Sequence, residues 1–481
     1  MTHTNALLTD LYELTMMAGY LAQGKAGDTA AFDLYFRRNP YGGGYAVAAG
    51  MEDAVKIAME MRFSGDDIRY LRSLRSPRGN HTFPDVYLDY LSRWRFSGEI
   101  SAVPEGTVVF SHEPLMRVRG RIAECQLIES VLLCHINFQT LIATKAARIW
   151  EAARRAPVLE FGLRRAPGPD GAMSAVRAAM IGGAEATSNV LGSANFNVPV
   201  RGTHAHSWIQ SFETELEAFR AYAALFPDEC ILLVDTYDTL KSGIPNAIQV
   251  GKELRDKGHQ LAGIRIDSGD LTFLSKRARR ALDAAGLDYV KIVASNDLDE
   301  YIISDVLAQG GEIDIWGVGT RLVTGSGEAN GALGGVYKMV EYNGLPKIKI
   351  SSNLEKMTTP GVKKIVRFYD MDGLMEADAL AENSEDISSG EVHIIDPANP
   401  LRRTTICSER RVELLVPMVS SGEPVYEFPS LEQIRAHRKS QLSELHESYK
   451  RLTNPHEYKV GLTQKLWKLK EQMIAAVSTS D

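Results

Sequence analysis

Apolar and polar positions alternate in one repeating arrangement from about residue 150 to residue 325. Each short apolar run ends in polar residues and is followed by a segment such as 209–224, where apolar side chains recur every three or four positions. Strands and helices that alternate in this way predict parallel βα units, and six or more units predict a closed or irregular barrel, with a doubly wound sheet as the alternative. The apolar runs are Pro157–Phe161, Val198–Val200, Ile231–Val234, Leu261–Ile266, Tyr289–Ala294 and Ile313–Trp316.

The two ends of the chain have a different pattern. Residues 28–49 predict strands around the glycine-rich turn Asn39–Gly44, and residues 98–120 predict short strands broken by proline and glycine. Beyond about residue 345 the chain is β-rich again, with a Met-Asp-Gly turn at 371–373, and its last 40 or so residues read mainly as charged helix.

These patterns predict an α/β protein in which a closed or irregular βα barrel, or alternatively a doubly wound sheet, is accompanied by a flanking domain that is built from both chain ends. We expect the flanking domain to begin with residues 1–145, the barrel to occupy 146–345, and the β-rich return with C-terminal helices to occupy 346–481.

Composition excludes several classes of protein. The chain is 44% hydrophobic and 24% charged, as globular proteins are, and its net charge of −7 argues against nucleic acid or a membrane surface as a partner. The four cysteines are far apart, which predicts a reducing compartment. No signal peptide is evident, and the most apolar stretch, about 122–150, carries charged side chains, so we expect a buried helix there and a cytoplasmic protein.

Residues that follow barrel strands surround one cavity, so the strand ends are the most informative positions. They bring arginines, two histidines, several carboxylates and glycines to one rim, which predicts a site for a polyanionic ligand with a metal ion. The strand-end segments are Phe161–Arg165, Gly202–Ser207, Asp235–Asp238, Arg265–Asp270, Ser295–Asp297 and Gly317–Thr320.

Several of these residues have a plain structural interpretation beside the functional one. Arg265 could form a buried ion pair with Asp267 or Asp235, or it could hold a ligand carboxylate or phosphate. Gly317 and Gly319 could permit a tight turn, or they could let backbone N–H groups approach a phosphate.

Other strand-end residues leave the same choice open. Phe161 could belong to the core, or it could stack on a flat heterocycle while Arg164 holds a phosphate. Asp238 and Asp270 stand where helices are expected to begin, so both could simply be helix caps.

The pair His204-x-His206 suggests a rival function, because barrel metallohydrolases bind a metal through such a pair. That interpretation is disfavoured, because no later strand end supplies a histidine and His259 precedes its strand. A Schiff-base barrel needs a lysine at a strand end, whereas Lys291 lies inside its strand.

Six motifs spread over nearly the entire chain resemble nicotinate phosphoribosyltransferase, in the order expected of that family. The resemblance implies the type II phosphoribosyltransferase fold, an irregular α/β barrel with a flanking α/β domain, assembled as a homodimer with shared active sites. The motifs are Leu7–Thr15, Phe36–Gly44, Asn137–Lys145, Gly202–Ser207, Ile264–Leu271 and Asn454–Tyr458.

The resemblance also implies residue roles. His206 would be phosphorylated by ATP, with Asp235 orienting it, while Asp267 would engage ribose hydroxyls or Mg²⁺. Phe161 and the partner subunit's Tyr12 would enclose the pyridine ring, whose carboxylate Arg265 would bind. The resemblance assigns His204 no role. The residues expected around the phosphates are Arg164, Gly317, Gly319, Thr320 and Lys338, with Arg37 and Arg38 from across the interface.

The implied reaction converts nicotinate, 5-phosphoribosyl pyrophosphate, ATP and water into nicotinate mononucleotide, pyrophosphate, ADP and phosphate, as a step of NAD biosynthesis. Related nicotinamide enzymes carry an aspartate where this chain has Ser188, which can donate to a carboxylate. Quinolinate phosphoribosyltransferase shares the fold but uses no phosphohistidine, so Gly202–Ser207 argues against it. A catalytically silent binding protein is disfavoured, because histidine, acids and arginine occur together.

Overall fold

The computed structural model describes residues 6–327, 331–351 and 356–478. The chain forms two compact units, one made of Ile142–Gly331 and the other of Met1–Leu141 together with Ala332–Asp481. The boundaries expected from the sequence lay after residues 145 and 345. We refer to Ile142–Gly331 as the barrel unit and to the other as the flanking unit.

The first part of the flanking unit alternates helices with strands along the chain, and these strands pair antiparallel. Ser64 and Asp67 form a capping box that begins its third helix. The apolar stretch expected near 122–150 is two helices, because Ile128 leaves helical geometry between them. The elements are α1 (Leu11–Ala22), β1 (Thr29–Phe36), β2 (Ala46–Val47), α2 (Met51–Glu60), α3 (Gly65–Ser73), α4 (Asp85–Ser92), β3 (Glu99–Ala102), β4 (Val108–Val109), β5 (Met116–Arg121), α5 (Ile122–Leu127) and α6 (Glu129–Ala152), and the boundary between the units falls inside α6.

The barrel unit alternates strands and helices, as its hydrophobic pattern predicts. A 3₁₀ helix at Leu163–Arg165 and a π-helix at Thr239–Gly243 are its irregular turns. The elements are β6 (Val158–Glu160), α7 (Gly168–Gly182), β7 (Ala186–Thr187), α8 (Val190–Phe196), α9 (His206–Gln210), α10 (Glu215–Leu225), β8 (Ile231–Leu233), α11 (Ile244–Asp256), β9 (Gly263–Ile266), α12 (Leu271–Ala284), β10 (Lys291–Ala294), α13 (Glu300–Ala308), β11 (Ile315–Val318) and α14 (Thr320–Val323).

The six barrel strands pair in the order β7-β6-β11-β10-β9-β8, and all of these pairs are parallel. The first strand therefore pairs with the last, whereas a doubly wound sheet runs outward from its middle strand. Strands that follow one another in sequence around a closed βα barrel would pair in this order. Among the described residues, only the pair between β7 and β8 that would close the ring is missing. This agrees with the expected irregular barrel, although the ring of strand pairs is incomplete.

Two details of the barrel unit differ from the expectation. The run Val198–Val200 forms only an isolated bridge from Val200 to Thr187, and the short strand β7 was not foreseen. The helix expected over 209–224 is divided into α9 and α10, because Thr214 and Glu217 form a capping box that starts a new helix.

The last part of the flanking unit completes two sheets. One has the order β13-β12-β1-β5-β3-β19-β20, and the other has the order β17-β16-β21-β15-β14-β18. The strand β21 interrupts the C-terminal segment that was expected to be mainly helix. The elements are β12 (Gly335–Tyr342), β13 (Leu345–Pro346), β14 (Lys363–Tyr369), β15 (Met375–Glu382), β16 (Val392–Ile395), β17 (Arg403–Ile406), β18 (Arg411–Glu413), β19 (Val416–Ser420), β20 (Glu423–Pro424), α15 (Leu431–Glu444), α16 (Glu447–Lys450), β21 (Val460–Thr463) and α17 (Gln464–Ser478).

The buried Arg367 and Asp378 of the flanking unit are paired with each other. Arg367 binds both oxygens of Asp378, with the shortest contact 2.6 Å and both side chains 0% exposed. Tyr458 also donates to Asp378 at 2.9 Å. Buried charges require such partners because an isolated one is costly to desolvate. None of the described helices is both long and apolar enough to span a bilayer.

Candidate active site

Arg265 lies at the centre of a polar network at the carboxyl ends of the barrel strands. Its Nε donates to Ser295 Oγ at 2.7 Å, one terminal nitrogen donates to Thr203 Oγ1 at 2.8 Å, and the other donates to Asp267 Oδ1 at 2.6 Å. Arg265 belongs to β9, Ser295 follows β10, and Thr203 lies in the loop before α9. The ion pair with Asp267 that was one alternative for Arg265 is therefore present. Each terminal nitrogen of a guanidinium has two N–H groups, so these hydrogen bonds leave donors for a ligand anion.

Asp267 is held in its ionised form. Burial opposes ionisation, but Arg265 and the Ser295 hydroxyl outweigh it and lower the pKa of the Asp267 carboxyl. Its second oxygen, Oδ2, lies 3.7 Å from Nε2 of His206, whose side chain is 40% exposed. An ionised carboxylate thus faces the Nε2 atom of a partly exposed imidazole.

The Nδ1 atom of His206 contacts Thr236 Oγ1 at 3.1 Å. The neighbouring Asp235 accepts instead from the backbone N–H of Asp267 at 2.9 Å and from Ser268 Oγ at 2.5 Å. In this conformation Thr236 contacts the histidine directly, and Asp235 acts on the loop that carries Asp267.

The other carboxylate oxygen of Asp235, Oδ1, is buried and has no hydrogen-bond partner in the described chain. A buried unpaired oxygen is expensive unless something else binds it. The described residues contain no group of three or more metal-ligating side chains. Mg²⁺ at phosphate sites commonly uses one or two carboxylates and takes its remaining ligands from phosphates and water. The donor pair Asp235 and Asp267 fits that mode of binding and does not fit an all-protein metal cage.

Phe161 forms an aromatic wall next to the guanidinium, with Cζ of Arg265 5.6 Å from the centroid of its ring. A Cβ atom on Gly317 would come within 2.7 Å of the Phe161 ring, so glycine provides the space for it. Gly317 lies within β11 rather than after it, because this strand extends to Val318. Gly319 precedes α14, and a Cβ atom there would lie 3.0 Å from the Phe161 carbonyl.

Glu160 connects the ends of β6 and β7. Its carboxylate accepts from Thr187 Oγ1 at 2.6 Å and from the backbone N–H of Gly162, and its own carbonyl accepts from Ser188 N at 3.0 Å. Burial raises the pKa of this carboxyl against the opposing effect of both hydrogen bonds. Glu160 thereby fixes the backbone next to Phe161 and Ser188, although no sequence motif singles it out.

The remaining predicted residues of the barrel unit lie at strand ends. Arg164 is exposed in the 3₁₀ helix, and Thr320 begins α14 half-buried. Asp238 accepts from two backbone N–H groups and Asp270 accepts from Phe273 N, so both act as helix caps.

His204 and His206 do not share a ligand position. The Nε2 atom of His204 accepts from Leu233 N at 3.3 Å, and its buried ring contacts Tyr222 at a centroid distance of 4.7 Å. Because this nitrogen is already engaged, the pair lacks the free ligand atoms that a barrel metallohydrolase needs.

Four predicted site residues, Tyr12, Arg37, Arg38 and Lys338, belong to the flanking unit. Tyr12 in α1 is 41% exposed, and burial and Glu129 raise the pKa of its hydroxyl. Lys338 in β12 donates to its neighbour's carbonyl, and burial lowers the pKa of its ammonium despite Glu129.

The residues that the sequence analysis missed are mostly hydroxyls. Thr203, Thr236 and Ser295 each contact a predicted site residue, and all three lie in the strand-end segments. Only their location in the strand-end segments could have pointed to these three residues, because serine and threonine are too common to indicate a site by residue type alone. Together the network offers spare cationic donors, ionised oxygen, an accessible imidazole and an aromatic wall, which suit a flat anion joined to phosphates.

Comparison with known proteins identifies relatives over nearly the full length. The nicotinate phosphoribosyltransferase (NAPRTase) N-terminal domain matches residues 7–137, the NAPRTase family matches 157–373, and the C-terminal domain matches 362–470. Nicotinate phosphoribosyltransferase of Bacillus subtilis is 43% identical, with 98% of this chain and 96% of the relative covered. That of Dictyostelium discoideum is 38% identical, with 96% and 87% covered. The crystal structure of human nicotinic acid phosphoribosyltransferase is 32% identical with a TM-score of 0.85, and covers 96% of this chain and 99% of its own.

Proposed function

Because the chain belongs to the nicotinate phosphoribosyltransferase family of NAD biosynthesis, we propose that its transfer of a phosphoribosyl group to nicotinate is coupled to ATP hydrolysis. The observation that carries this proposal is the setting of the partly exposed His206 side chain, with Nδ1 at Thr236 and Nε2 facing Asp267 of the strand-end network. If Nδ1 donates to the threonine hydroxyl, Nε2 keeps its lone pair and is the nucleophile. Attack on the γ-phosphorus forms an N–P bond and releases ADP with the electron pair of the broken P–O bond, and water later releases phosphate.

For the transfer itself, Arg265 would bind the nicotinate carboxylate with its remaining donors, and Phe161 would cover one face of the ring. The bond from ribose C1 to pyrophosphate breaks as positive charge develops on the sugar. The ionised Asp267 stabilises that charge, and the pyridine nitrogen then donates its electron pair to C1. Arg164, Gly317, Gly319, Thr320 and Lys338 remain proposals for phosphate binding.

Mg²⁺ is the proposed cofactor, held by Asp267 together with the unpaired oxygen of Asp235. When bound, it would neutralise phosphate charge and so make pyrophosphate a better leaving group. The protein contributes the two carboxylates and their orientation through Arg265, Ser295 and Ser268.

We further propose a cytoplasmic homodimer in which the partner subunit's Tyr12 covers the second face of the pyridine ring, because Tyr12 is a half-exposed aromatic. Ser188, half-buried beside Glu160, would favour nicotinate over nicotinamide by donating to its carboxylate. Nicotinamide and quinolinate are the alternative substrates.

The test is a turnover assay with nicotinate, nicotinamide and quinolinate, each with and without ATP, on wild type and His206→Asn. We expect nicotinate to be preferred, ADP to form in step with product, and the variant to lose both label from γ-labelled ATP and stimulation by ATP. The variant should still transfer slowly without ATP. ADP formation by His206→Asn in step with product would contradict the phosphohistidine.

A further inference from the structure

The opening of the barrel between β7 and β8 is crossed by the loop that leads to His206. On one side the loop is tied to β7 through backbone hydrogen bonds, Thr187 N to Pro199 O at 3.1 Å and Arg201 N to Thr187 O at 2.9 Å. On the other side β8 pairs only with β9 among the described strands, and Val234 N donates to Arg265 O in that direction. Successive N–H groups of a strand point to opposite sides, so Leu233 N–H faces the opening.

The acceptor for this N–H is a side chain, the imidazole of His204, at 3.3 Å from Nε2. The ring is buried and packs edge-on against Tyr222, with Phe219 6.2 Å away. Burial lowers the pKa of His204 to about 4 despite the opposing hydrogen bond to the Ala205 carbonyl, so the ring is neutral near pH 7 and keeps the lone pair that the hydrogen bond from Leu233 needs.

We propose that His204 is a positioning residue for His206: its ring replaces the missing strand pair across the opening and fixes the loop against β8. The inference rests on the proposed phosphohistidine. The two attachments are close in sequence, since His204 contacts Leu233 and His206 contacts Thr236, which follows the same strand. A loop shift of about 1 Å would take the 3.1 Å contact between His206 and Thr236 beyond hydrogen-bond range.

The plain alternative is that His204 only fills space between β8 and α10. A packing role needs an aromatic or apolar shape, whereas the positioning role needs an acceptor at the place of Nε2. Glutamine carries an amide oxygen at about that reach, and asparagine has the same chemistry but is one methylene shorter. The pair His204→Gln and His204→Asn therefore separates the two roles.

The experiment measures phosphoryl incorporation from γ-labelled ATP, ATP-independent transfer, and hydrogen exchange of a peptide that spans residues 230–236, on the full chain. We expect His204→Asn to lose about tenfold or more of the incorporation and to exchange faster at Leu233, while ATP-independent transfer stays within about twofold. His204→Gln should recover most of the incorporation and the protection. Phe219→Leu, which alters packing at the same ring, serves as the control and should keep normal ADP formation per product.

Equal incorporation in wild type and His204→Asn, or an equal loss in the Asn and Gln variants, would overturn the inference, as would a parallel loss of all activities. If His204→Asn does not fold, His204→Leu provides a side chain without an acceptor for the same comparison with glutamine. Absence of label in wild type would instead defeat the proposed phosphohistidine and this inference with it, which distinguishes that failure from failure of the positioning role alone.

Discussion

The barrel unit and the flanking unit each contain an arginine–aspartate pair with a closest contact of 2.6 Å. In the flanking unit Arg367 and Asp378 are both 0% exposed, and Asp378 is bound by two nitrogens of the arginine and by Tyr458. In the barrel unit Arg265 and Asp267 are 14% and 27% exposed, and the arginine distributes its donors over three partners. Contact distance is therefore no guide to role, whereas accessibility and unused donors distinguish a closed structural pair from one that can still bind a ligand.

The largest effect is expected from breaking the closed pair. Asp378→Asn removes the carboxylate that pairs with the buried Arg367, which should cost about 3–5 kcal/mol of unfolding free energy. The double variant Arg367→Met/Asp378→Leu should recover most of that loss, because it removes both charges. Urea unfolding measures both values. A cost below about 1 kcal/mol for Asp378→Asn would show that this pair does not stabilise the fold.

A smaller effect, on substrate binding rather than on stability, is expected when the accessible pair Arg265–Asp267 is changed. Arg265→Lys should raise the nicotinate KM about 30-fold, equivalent to about 2 kcal/mol, because an ammonium cannot bind the ligand, Ser295, Thr203 and Asp267 together. Its unfolding free energy should change by less than about 1 kcal/mol. Steady-state kinetics and urea unfolding provide the comparison, and the reverse outcome, an unstable protein with unchanged KM, would make Arg265 a structural residue.

The smallest effect concerns Lys470 of the flanking unit, which, unlike Arg367 and Asp378, is buried without a counter-charge among the described residues. Lys470 is buried beside a small cavity with His112 and Thr359, and no acceptor contacts it in the described chain. Burial and repulsion from Lys363 lower the pKa of Lys470 to about 8, below its unfolded value. Between that pKa and about 10.5 the unfolded chain binds a proton that the folded chain does not, so this group makes stability increase with pH.

Lys470→Met should therefore raise the unfolding free energy at pH 7 by on the order of 1–2 kcal/mol, and the gain should shrink as pH rises towards 10. Lys468→Met, at an exposed position of the same helix, should have little effect at either pH. Parallel stability–pH curves for wild type and Lys470→Met would mean that the lysine is neutralised by a partner.

The fold could be predicted where strands are long enough to bury an apolar run. The strands β6, β8, β9, β10 and β11 lie within the predicted runs or extend one of them, because each is covered on both faces. The two-residue strand β7 has no periodicity to detect, and the loop at Val198–Val200 is apolar without being a strand. The division of 209–224 was visible in advance, since Thr214-x-x-Glu217 is a capping box.

The candidate site could be predicted to the level of segments, because carboxyl ends of parallel strands meet at one edge. Which side chains of the strand-end segments contact one another depends on the direction in which each side chain points, and the residue types of a segment do not reveal that direction. Thr236 rather than Asp235 contacts His206, and Gly317 lies inside its strand, where it makes room for Phe161. The role of His204 follows from a gap in strand pairing, a property of the assembled sheet.

Strand β1 pairs with β12, about 300 positions further along the chain, and the whole barrel unit lies between them in sequence. During synthesis the barrel unit is thus complete while β1 still lacks this neighbour. The roughly 300 residues from the end of β1 to the start of β12 take about fifteen to sixty seconds to synthesise at ordinary elongation rates. For that interval one edge of β1 presents unpaired backbone groups, which is where premature association of nascent chains would begin. Slow codons or chaperone contacts would matter most before residue 335, when the partner strand has not yet been made.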